Sequence, residues 1–465
     1  MNKTSALSAA LLPLIVLPAA LDAKVRKPNV VLIVADDLGW GDVGYHGSVN
    51  RTPNIDRLAS EGIELDRYYS APISSPARAG LLTGRYPSRF GFRESVIPPW
   101  RDCGLDAGER TLADLLGENG YAHRAAIGKW HLGHTHLCHY PLNRGFDHFY
   151  GCLNGALDYF THIRNDELDW HNDWDSSYDE GYTTDLIAQE ASRCVDAYAR
   201  EGQPFFLYVA FNAPHAPYLA PDDAIAEYID PAKLDAMSKK ERNAWVYRAM
   251  VSRLDRGIGQ ILDRLDEQGL SDDTLVIFVS DNGGVEGLTG GSTCLPLRGH
   301  KFQEWDGGVR VPAVLRWPGH FPGGRKIEEV TAFVDLMPTL AQLVGDRKKT
   351  DRPYDGISIL RLLEGRKKAL KRDLYLGCGA VVNREGKYIR AGKNKAMPLK
   401  EDWYSAYADD PYESRNALPA HQKEAGRLKA IADRYDAIVP YVPEQEYGKG
   451  MKGFKAPKEW KVTLP

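Results

Sequence analysis

Cysteine is scarce: six in 465 residues, at positions 103, 138, 152, 194, 294 and 378. None has metal-site spacing, so the chain offers no zinc pattern. None precedes Cys103, which excludes a lipid anchor on an N-terminal cysteine. The spacing fixes no disulfide connectivity, and buried free thiols fit equally. Charge of one sign is also lacking. A formal net charge of −4 leaves no basic footprint for nucleic acid. Beyond the first twenty residues no apolar run approaches the length of a membrane span. There is no internal repeat.

The first residues have the form of an export leader. Lys3 supplies the positive start, and Ala6 to Ala20 is mostly apolar with Pro13 and Pro18 inside it. Small residues at Ala19, Ala20 and Ala23 offer cleavage positions. A signal peptide over 1–23 is therefore expected, with an exported product, periplasmic or extracellular, and no membrane span after cleavage. The rest divides into a catalytic domain over 24–350 and a smaller C-terminal unit over 351–465. A basic stretch from Arg347 to Arg372 bridges them and reads as a solvated linker.

Apolar runs at Asn29 to Ala35, Phe205 to Phe211 and Thr274 to Ser280 read as buried strands, with a weaker one at Val311 to Trp317. Amphipathic stretches lie between and around them: Thr52 to Gly62, Thr111 to Gly117, Thr183 to Arg200, Lys240 to Gln268 and Val330 to Val344. The alternation predicts an α/β fold: a large, mainly parallel sheet sandwiched by helices. Short strands at Asp373 to Gly377, Ala380 to Val382 and Lys387 to Arg390, then a helix from Gln422 to Tyr435, predict an α+β C-terminal unit with a short antiparallel sheet. Polar residues follow the main strands: Asp36-Asp37, His215, and Asp281-Asn282. Chemistry in such folds gathers beyond the carboxyl ends of strands.

Adjacent carboxylates repel unless a cation neutralises them. Asp36, Asp37, Asp281 and the Asn282 amide oxygen form an all-oxygen set suited to Ca²⁺ or Mg²⁺. Either pair alone reads equally as a turn or cap. The most specific stretch is Ser74-Ser75-Pro76-Ala77-Arg78-Ala79-Gly80-Leu81-Leu82-Thr83-Gly84-Arg85. It reads as a hydroxyl nucleophile at a helix N-terminus, where free N–H groups favour an anion.

That stretch closely resembles the signature of the formylglycine-dependent (type I) sulfatases, of the alkaline-phosphatase superfamily. Gly128-Lys129-Trp130-His131-Leu132-Gly133 resembles their second signature. The resemblance implies that Ser74 is oxidised to formylglycine, whose hydrate attacks sulfur. Unmodified Ser74 has no second hydroxyl for this route, so maturation is required. The Ser form resembles precursors matured by radical-type enzymes and implies a bacterial source. One Ca²⁺ held by Asp36, Asp37, Asp281, Asn282 and residue 74 is also implied. Arg78, Lys129 and Lys301 would hold sulfate oxygens. His131 would be the base that frees sulfate, and His215 would protonate the departing alcohol. The chain departs from the usual pattern at Arg124, where Thr is common. His300 and Asp306 stand where Gly and Glu are more usual, and His300 is expected to face substrate.

Aromatic and acidic residues crowd Asp158 to Tyr182, including Tyr159, Trp170, Trp174 and Tyr178, with His162 and His171 among them. Pro99-Trp100-Arg101 is a second such patch. These read either as sugar-binding faces, with Trp100 and Arg101 touching substrate, or as packing of a long loop. His134, His136 and His139 read as surface or substrate-facing rather than as a second metal site. The expected activity is hydrolysis of sulfate esters on a carbohydrate. Two alternatives remain open: a phosphomonoester or phosphonate hydrolase of the same superfamily, and a glycan-binding protein in which Ser74 stays unmodified.

Overall fold

The computed structural model describes residues 27–464 other than 94, 288–289, 445–446 and 463; the expected leader lies outside them. The largest sheet contains β1 (Asn29–Ala35), β2 (Ile63–Leu65), β3 (His123–Lys129), β4 (His148–Cys152), β5 (His171–Asn172), β6 (Asp175–Ser176), β7 (Phe205–Ala210), β8 (Thr274–Ser280), β9 (Ala313–Arg316) and β10 (Arg325–Ile327). Their spatial order is β10-β2-β9-β8-β1-β7-β3-β4-β5-β6. The central five, β8-β1-β7-β3-β4, are parallel, and antiparallel strands flank them on both sides.

Both faces of β1 are buried, which is why its sequence is a continuous apolar run. Val30, Leu32 and Val34 join one core; Val31, Ile33 and Ala35 join the other. Helices α1 (Pro53–Glu61), α4 (Thr183–Glu201) and α5 (Lys239–Glu267) cover the second face, through Ile55, Ile187 and Leu254 among others. Helices α2 (Ser74–Thr83), α3 (Leu112–Glu118) and α6 (Leu336–Val344) cover the first, through Leu82, Leu115 and Leu340. The first core continues without a break into a four-stranded antiparallel sheet and its helix α7 (Gln422–Asp436). That sheet comprises β11 (Leu374–Gly377), β12 (Ala380–Val382), β13 (Gly386–Ile389) and β14 (Trp403–Ala406).

Several expectations shift. The expected strand at Val311 to Trp317 shortens to β9 and runs antiparallel to its neighbour β8. The helix expected from Val330 begins only at Leu336, because Thr331-Ala332 pairs as a strand with Tyr68-Tyr69 and Asp335 accepts from Ala332 N. β14 was not foreseen. All six cysteines are free thiols, four of them buried. No helix among the described residues is long and apolar enough to cross a membrane.

Buried charge ties the two units together. Lys387, fully buried on β13, pairs with Asp306 of the main unit and with Glu413 at 3.1 Å, and donates to Glu304 O at 2.9 Å.

Candidate active site

The site lies beyond the carboxyl ends of β1, β3, β7 and β8. Helix α2 begins there, and all ten of its residues are buried. Its glycine has a packing reason: a Cβ at Gly80 would stand 2.1 Å from Phe333 Cε2, so only glycine lets α2 approach that ring. The helix ends in a left-handed Gly84, whose N–H donates to Gly80 O at 2.8 Å. Arg85 then anchors the turn through Glu109 at 3.1 Å and Pro353 O at 3.0 Å. The Thr-Gly-Arg end of the motif is therefore scaffold.

Ser74 is 1% exposed. Its Oγ lies 3.3 Å from Asp36 Oδ1 and 3.2 Å from Asn282 Oδ1. Arg78, one helical turn on, donates to Asp281 Oδ2 from Nη2 at 2.8 Å and Nε at 3.1 Å, and to Lys129 O at 3.2 Å. Lys129 Nζ is 2.5 Å from Asp36 Oδ2. Lys301 Nζ is 2.6 Å from Asp37 Oδ1 and 2.9 Å from Oδ2. Asn282 Nδ2 donates to Asp37 Oδ1 at 2.7 Å, and Asp37 N donates to Asp281 Oδ1 at 3.2 Å. His215 Nε2 is 3.7 Å from Asp37 Oδ2. Asp37 and His131 both adopt positive φ, 66° and 57°, which costs non-glycine residues energy and accompanies function in many proteins. The loops behind are as tight: a Cβ on Gly283 would meet Gly307 O at 1.9 Å.

Three buried carboxylates and three buried cations thus interleave in the site. Burial pushes the Asp36 carboxyl up to about 7, against the pull of Lys129. Burial opposes ionisation of Asp281 too, but Arg78, Lys129 and Lys301 outweigh it and hold this carboxyl below the usual range. Asp37 is likewise lowered, Lys301 and His215 overcoming burial. Burial, then the field of Lys129 and Arg78, pushes His131 well below its ordinary value. His215 falls to about 3, again through burial, with Lys301 and Lys129 adding to it against the opposite pull of Asp37. Both histidines are therefore neutral at pH 7. His131 Nδ1 and Asn212 Oδ1 are buried without a hydrogen-bond partner among the described residues.

The donor set fits a hard divalent cation. Oxygens of Asp36, Asn282 and Ser74 face one spot, and ligand atoms of Asp36, Asp37 and His215 lie within 4.8 Å of one another. The charges of Arg78, Lys129 and Lys301 balance those of Asp36, Asp37 and Asp281. An added divalent ion makes the site net positive, the sign that an anionic ester requires.

Other expected residues fall outside this cluster. Arg101 is buried, its guanidinium occupied by Ser95 Oγ at 3.1 Å and Val96 O at 3.2 Å, so it props its own loop. Trp100 donates from Nε1 to Tyr447 O at 2.7 Å. His300 Nδ1 lies 2.7 Å from Lys301 O. The aromatic segment divides: Tyr159 and Trp170 are buried, whereas Trp174 and Tyr178 are exposed. Tyr159 follows the loop-packing alternative: its hydroxyl lies 2.6 Å from Asn212 O and 2.7 Å from His215 O, fixing the His215 loop. His134 is not at the surface; it is buried, with Nε2 2.9 Å from Pro99 O. Asn212, buried beside His215, was assigned no role from the sequence.

Comparison with known proteins follows this geometry. A sequence model of the Sulfatase family matches residues 28–346. Arylsulfatase J of Mus musculus is 36% identical over 352 residues, covering 74% of this chain and 56% of its own length. N-acetylgalactosamine-6-sulfatase of Mus musculus is 34% identical over 358 residues, covering 72% and 66%. The chain thus spans about three-fifths of the length of these curated relatives. The crystal structure of Ps i-CgsB in complex with k-i-k-neocarrahexaose superposes with a TM-score of 0.79 at 30% identity, covering 92% of this chain and 96% of that one. With the match running through every strand end that builds the site, the chain belongs to the sulfatase family.

Proposed function

We propose that the protein is an exported sulfatase that hydrolyses sulfate esters on a carbohydrate, with Ser74 matured to formylglycine. The observation that carries this reading is the convergence on Ser74 Oγ of Asp36 and Asn282, ringed by Arg78, Lys129 and Lys301. The leader-like start supports export. The names of the relatives support a glycan: one acts on an N-acetylgalactosamine 6-sulfate, and a structural neighbour is complexed with a carrahexaose.

Asp36, Asp37, Asp281, Asn282 and residue 74 would hold one Ca²⁺. The ion would supply positive charge beside the nucleophile and the sulfate oxygens. Formylglycine would supply, as its hydrate, the second hydroxyl that serine lacks. The chain's own residues do the rest. Arg78 holds Asp281 in place. Lys129 and Lys301 present fixed positive charge to the sulfate oxygens, with no reorganisation needed during reaction. His131, neutral and with a free ring nitrogen, accepts a proton. His215 delivers one to the leaving oxygen. Its low proton affinity is set by burial and the field of Lys301 and Lys129, and a bound sulfate group offsets that field and raises it.

The test is the mass of the Ser74-containing peptide from protein produced with a Ser-type, radical-type maturation enzyme. A loss of about 2 Da, two hydrogens, shows formylglycine. An unchanged mass, with the maturation enzyme active on a control, refutes the reading.

A further inference from the structure

His148 opens β4 at the end of the sheet away from the catalytic cluster. It pairs with Ala125, whereas Cys152 at the other end of the strand pairs with Lys129. Its ring meets α4, where Glu190 and Cys194 stand four residues apart and so share one face of the helix. The ligand atoms of His148, Glu190 and Cys194 lie within 4.8 Å of one another. His148 Nε2 is 2.6 Å from Glu190 Oε1, and Cys194 Sγ is 3.6 Å from the same oxygen. No cysteine has metal-site spacing along the chain, yet the fold gathers a nitrogen, an oxygen and a sulfur from a strand and a helix.

The other ring nitrogen decides what belongs between them. Nδ1 lies 2.9 Å from Asp173 Oδ1, a carboxylate oxygen that only accepts, so Nδ1 carries a proton. A neutral ring then turns the Nε2 lone pair onto the Glu190 carboxylate. Two lone pairs 2.6 Å apart repel unless a positive species sits between them. In the metal-free chain that species is a proton. A metal ion fills the same place, and the Nδ1–H contact with Asp173 is then the carboxylate support that orients a metal-bound imidazole. Asp173 is itself held by Phe149 N at 2.9 Å. Cys194 is fully buried, and burial keeps its proton on the thiol. An ion takes the place of that proton, which leaves to water. The His148 and Glu190 side chains are 12% and 13% exposed, so an ion reaches them from solvent. Arg193 is the competitor, with Nη2 2.5 Å from Glu190 Oε1 and Nε 2.7 Å from Oε2. Its side chain is 60% exposed, so Nη2 can withdraw into water while Nε keeps Oε2.

We propose that His148 Nε2, Glu190 Oε1 and Cys194 Sγ bind a zinc ion, with water in the fourth position. A mixed nitrogen, oxygen and sulfur set suits Zn²⁺, not the hard Ca²⁺ or Mg²⁺ that the all-oxygen catalytic set fits. Neighbouring ligand atoms around a tetrahedral zinc stand about 3.3–3.7 Å apart. Sγ and Oε1 already do, and Nε2 and Oε1 need part by only about 1 Å. The ion clips β4 to α4. It requires nothing of Ser74, so this site stands or falls apart from the sulfatase reading.

Cobalt(II) tests it in place of zinc, because thiolate ligation gives cobalt an intense near-ultraviolet charge-transfer band that oxygen ligands do not. Asp36, Asp37, Asp281 and Asn282 offer no sulfur, so cobalt bound among them is silent in that band. The full chain, reduced and stripped with a chelator, is titrated with Co²⁺. The band should grow to one equivalent, and Zn²⁺ should bleach it. Cys194→Ser should abolish the band. His148→Gln and Glu190→Gln should each weaken cobalt binding by about 10-fold or more, the scale of losing even an orienting partner. Circular dichroism checks that each variant is folded. No band at saturating cobalt overturns the proposal. So does a band that survives in folded Cys194→Ser, which reports another thiol. If Cys194→Ser does not fold, the other two variants decide: unchanged cobalt affinity in either overturns the proposal.

Discussion

Arg78 offers the sharpest test of how the site is held. Its side chain is fully buried, makes two charged hydrogen bonds to Asp281 at 2.8 and 3.1 Å, and lies 3.6 Å from Asp36. Arg78→Met leaves Asp281 buried without its main partner, which costs about 3–5 kcal/mol. Set against a typical total of about 5–15 kcal/mol, that is a large share. Urea unfolding followed by circular dichroism reads it as a lower midpoint at constant slope. Arg78→Lys keeps the charge but loses the fork, because an ammonium cannot make both contacts. It should fold better than Arg78→Met and still lose about 10–100-fold in kcat, the usual cost of losing a group that orients a metal-binding carboxylate. The double variant Arg78→Met/Asp281→Leu removes both charges. Its destabilisation should fall short of the sum of the single variants by about 2–3 kcal/mol. Additive losses, or an Arg78→Met protein as stable as the parent, would refute the argument that this pair is mutually dependent.

Other predictions follow the same logic. Gly80→Ala forces a Cβ onto Phe333 and should destabilise by about 1–3 kcal/mol in urea, with Phe333→Leu in the same chain recovering part of the loss. Lys387→Met strands Asp306 and Glu413 in the seam between the units and should lower the melting temperature by several degrees in a thermal scan. His148 sits between Glu190 at 2.6 Å and Asp173 at 2.9 Å. Burial opposes ionisation of Glu190, but Arg193 and His148 hold it at about 2 against an ordinary 4.5, so its contribution is present above pH 4.5 and lost as pH falls toward 2. Burial opposes charge on His148 as well, yet Glu190 and Asp173 raise it above 6.5, so its contribution is present below that value and lost as pH rises through the raised one. The pair therefore stabilises most between about pH 4.5 and 6.5, and Glu190→Gln should flatten both limbs of a stability-versus-pH curve. A chelator should abolish ester hydrolysis and lower the melting temperature, with Ca²⁺ or Mg²⁺ restoring both.

The strands and the site motifs were legible because each is local in the chain. β1, β7 and β8 are nearly unbroken apolar runs; Asp36 and Asp281 follow theirs directly, and His215 lies in the loop after β7. What was not legible is pairing across distance. Nothing near Arg78 announces that its partner is Asp281, 203 residues away, or that Lys387 serves Asp306. Arg101 was expected with Trp100 to touch substrate as a polar group beside an aromatic face; its guanidinium has backbone and hydroxyl partners within its own loop. Tyr159 and Trp170 follow the loop-packing alternative of their segment. A long loop must bury aromatics to be ordered, and composition alone cannot separate those from Trp174 and Tyr178.

The charge balance also bears on which ester the site prefers. In two-metal phosphatases the cations are separate ions, each with its own carboxylate or histidine ligands. Here Lys129 occupies Asp36 and Lys301 occupies Asp37, and both lysines are buried. Three buried carboxylates already face three buried cations and, in the function proposed above, one divalent ion, so a second ion would find no uncompensated carboxylate to bind. In that reading the site takes one ion beside two fixed ammonium groups. A sulfate monoester carries a single negative charge, whereas a phosphate monoester near neutral pH carries close to two. A singly charged ester makes the smaller demand on this one-ion field. If that reasoning holds, kcat/KM for 4-methylumbelliferyl sulfate exceeds that for 4-methylumbelliferyl phosphate, and Lys301→Met narrows the gap by vacating Asp37 for a second cation. A phosphate preference in the parent chain would overturn it.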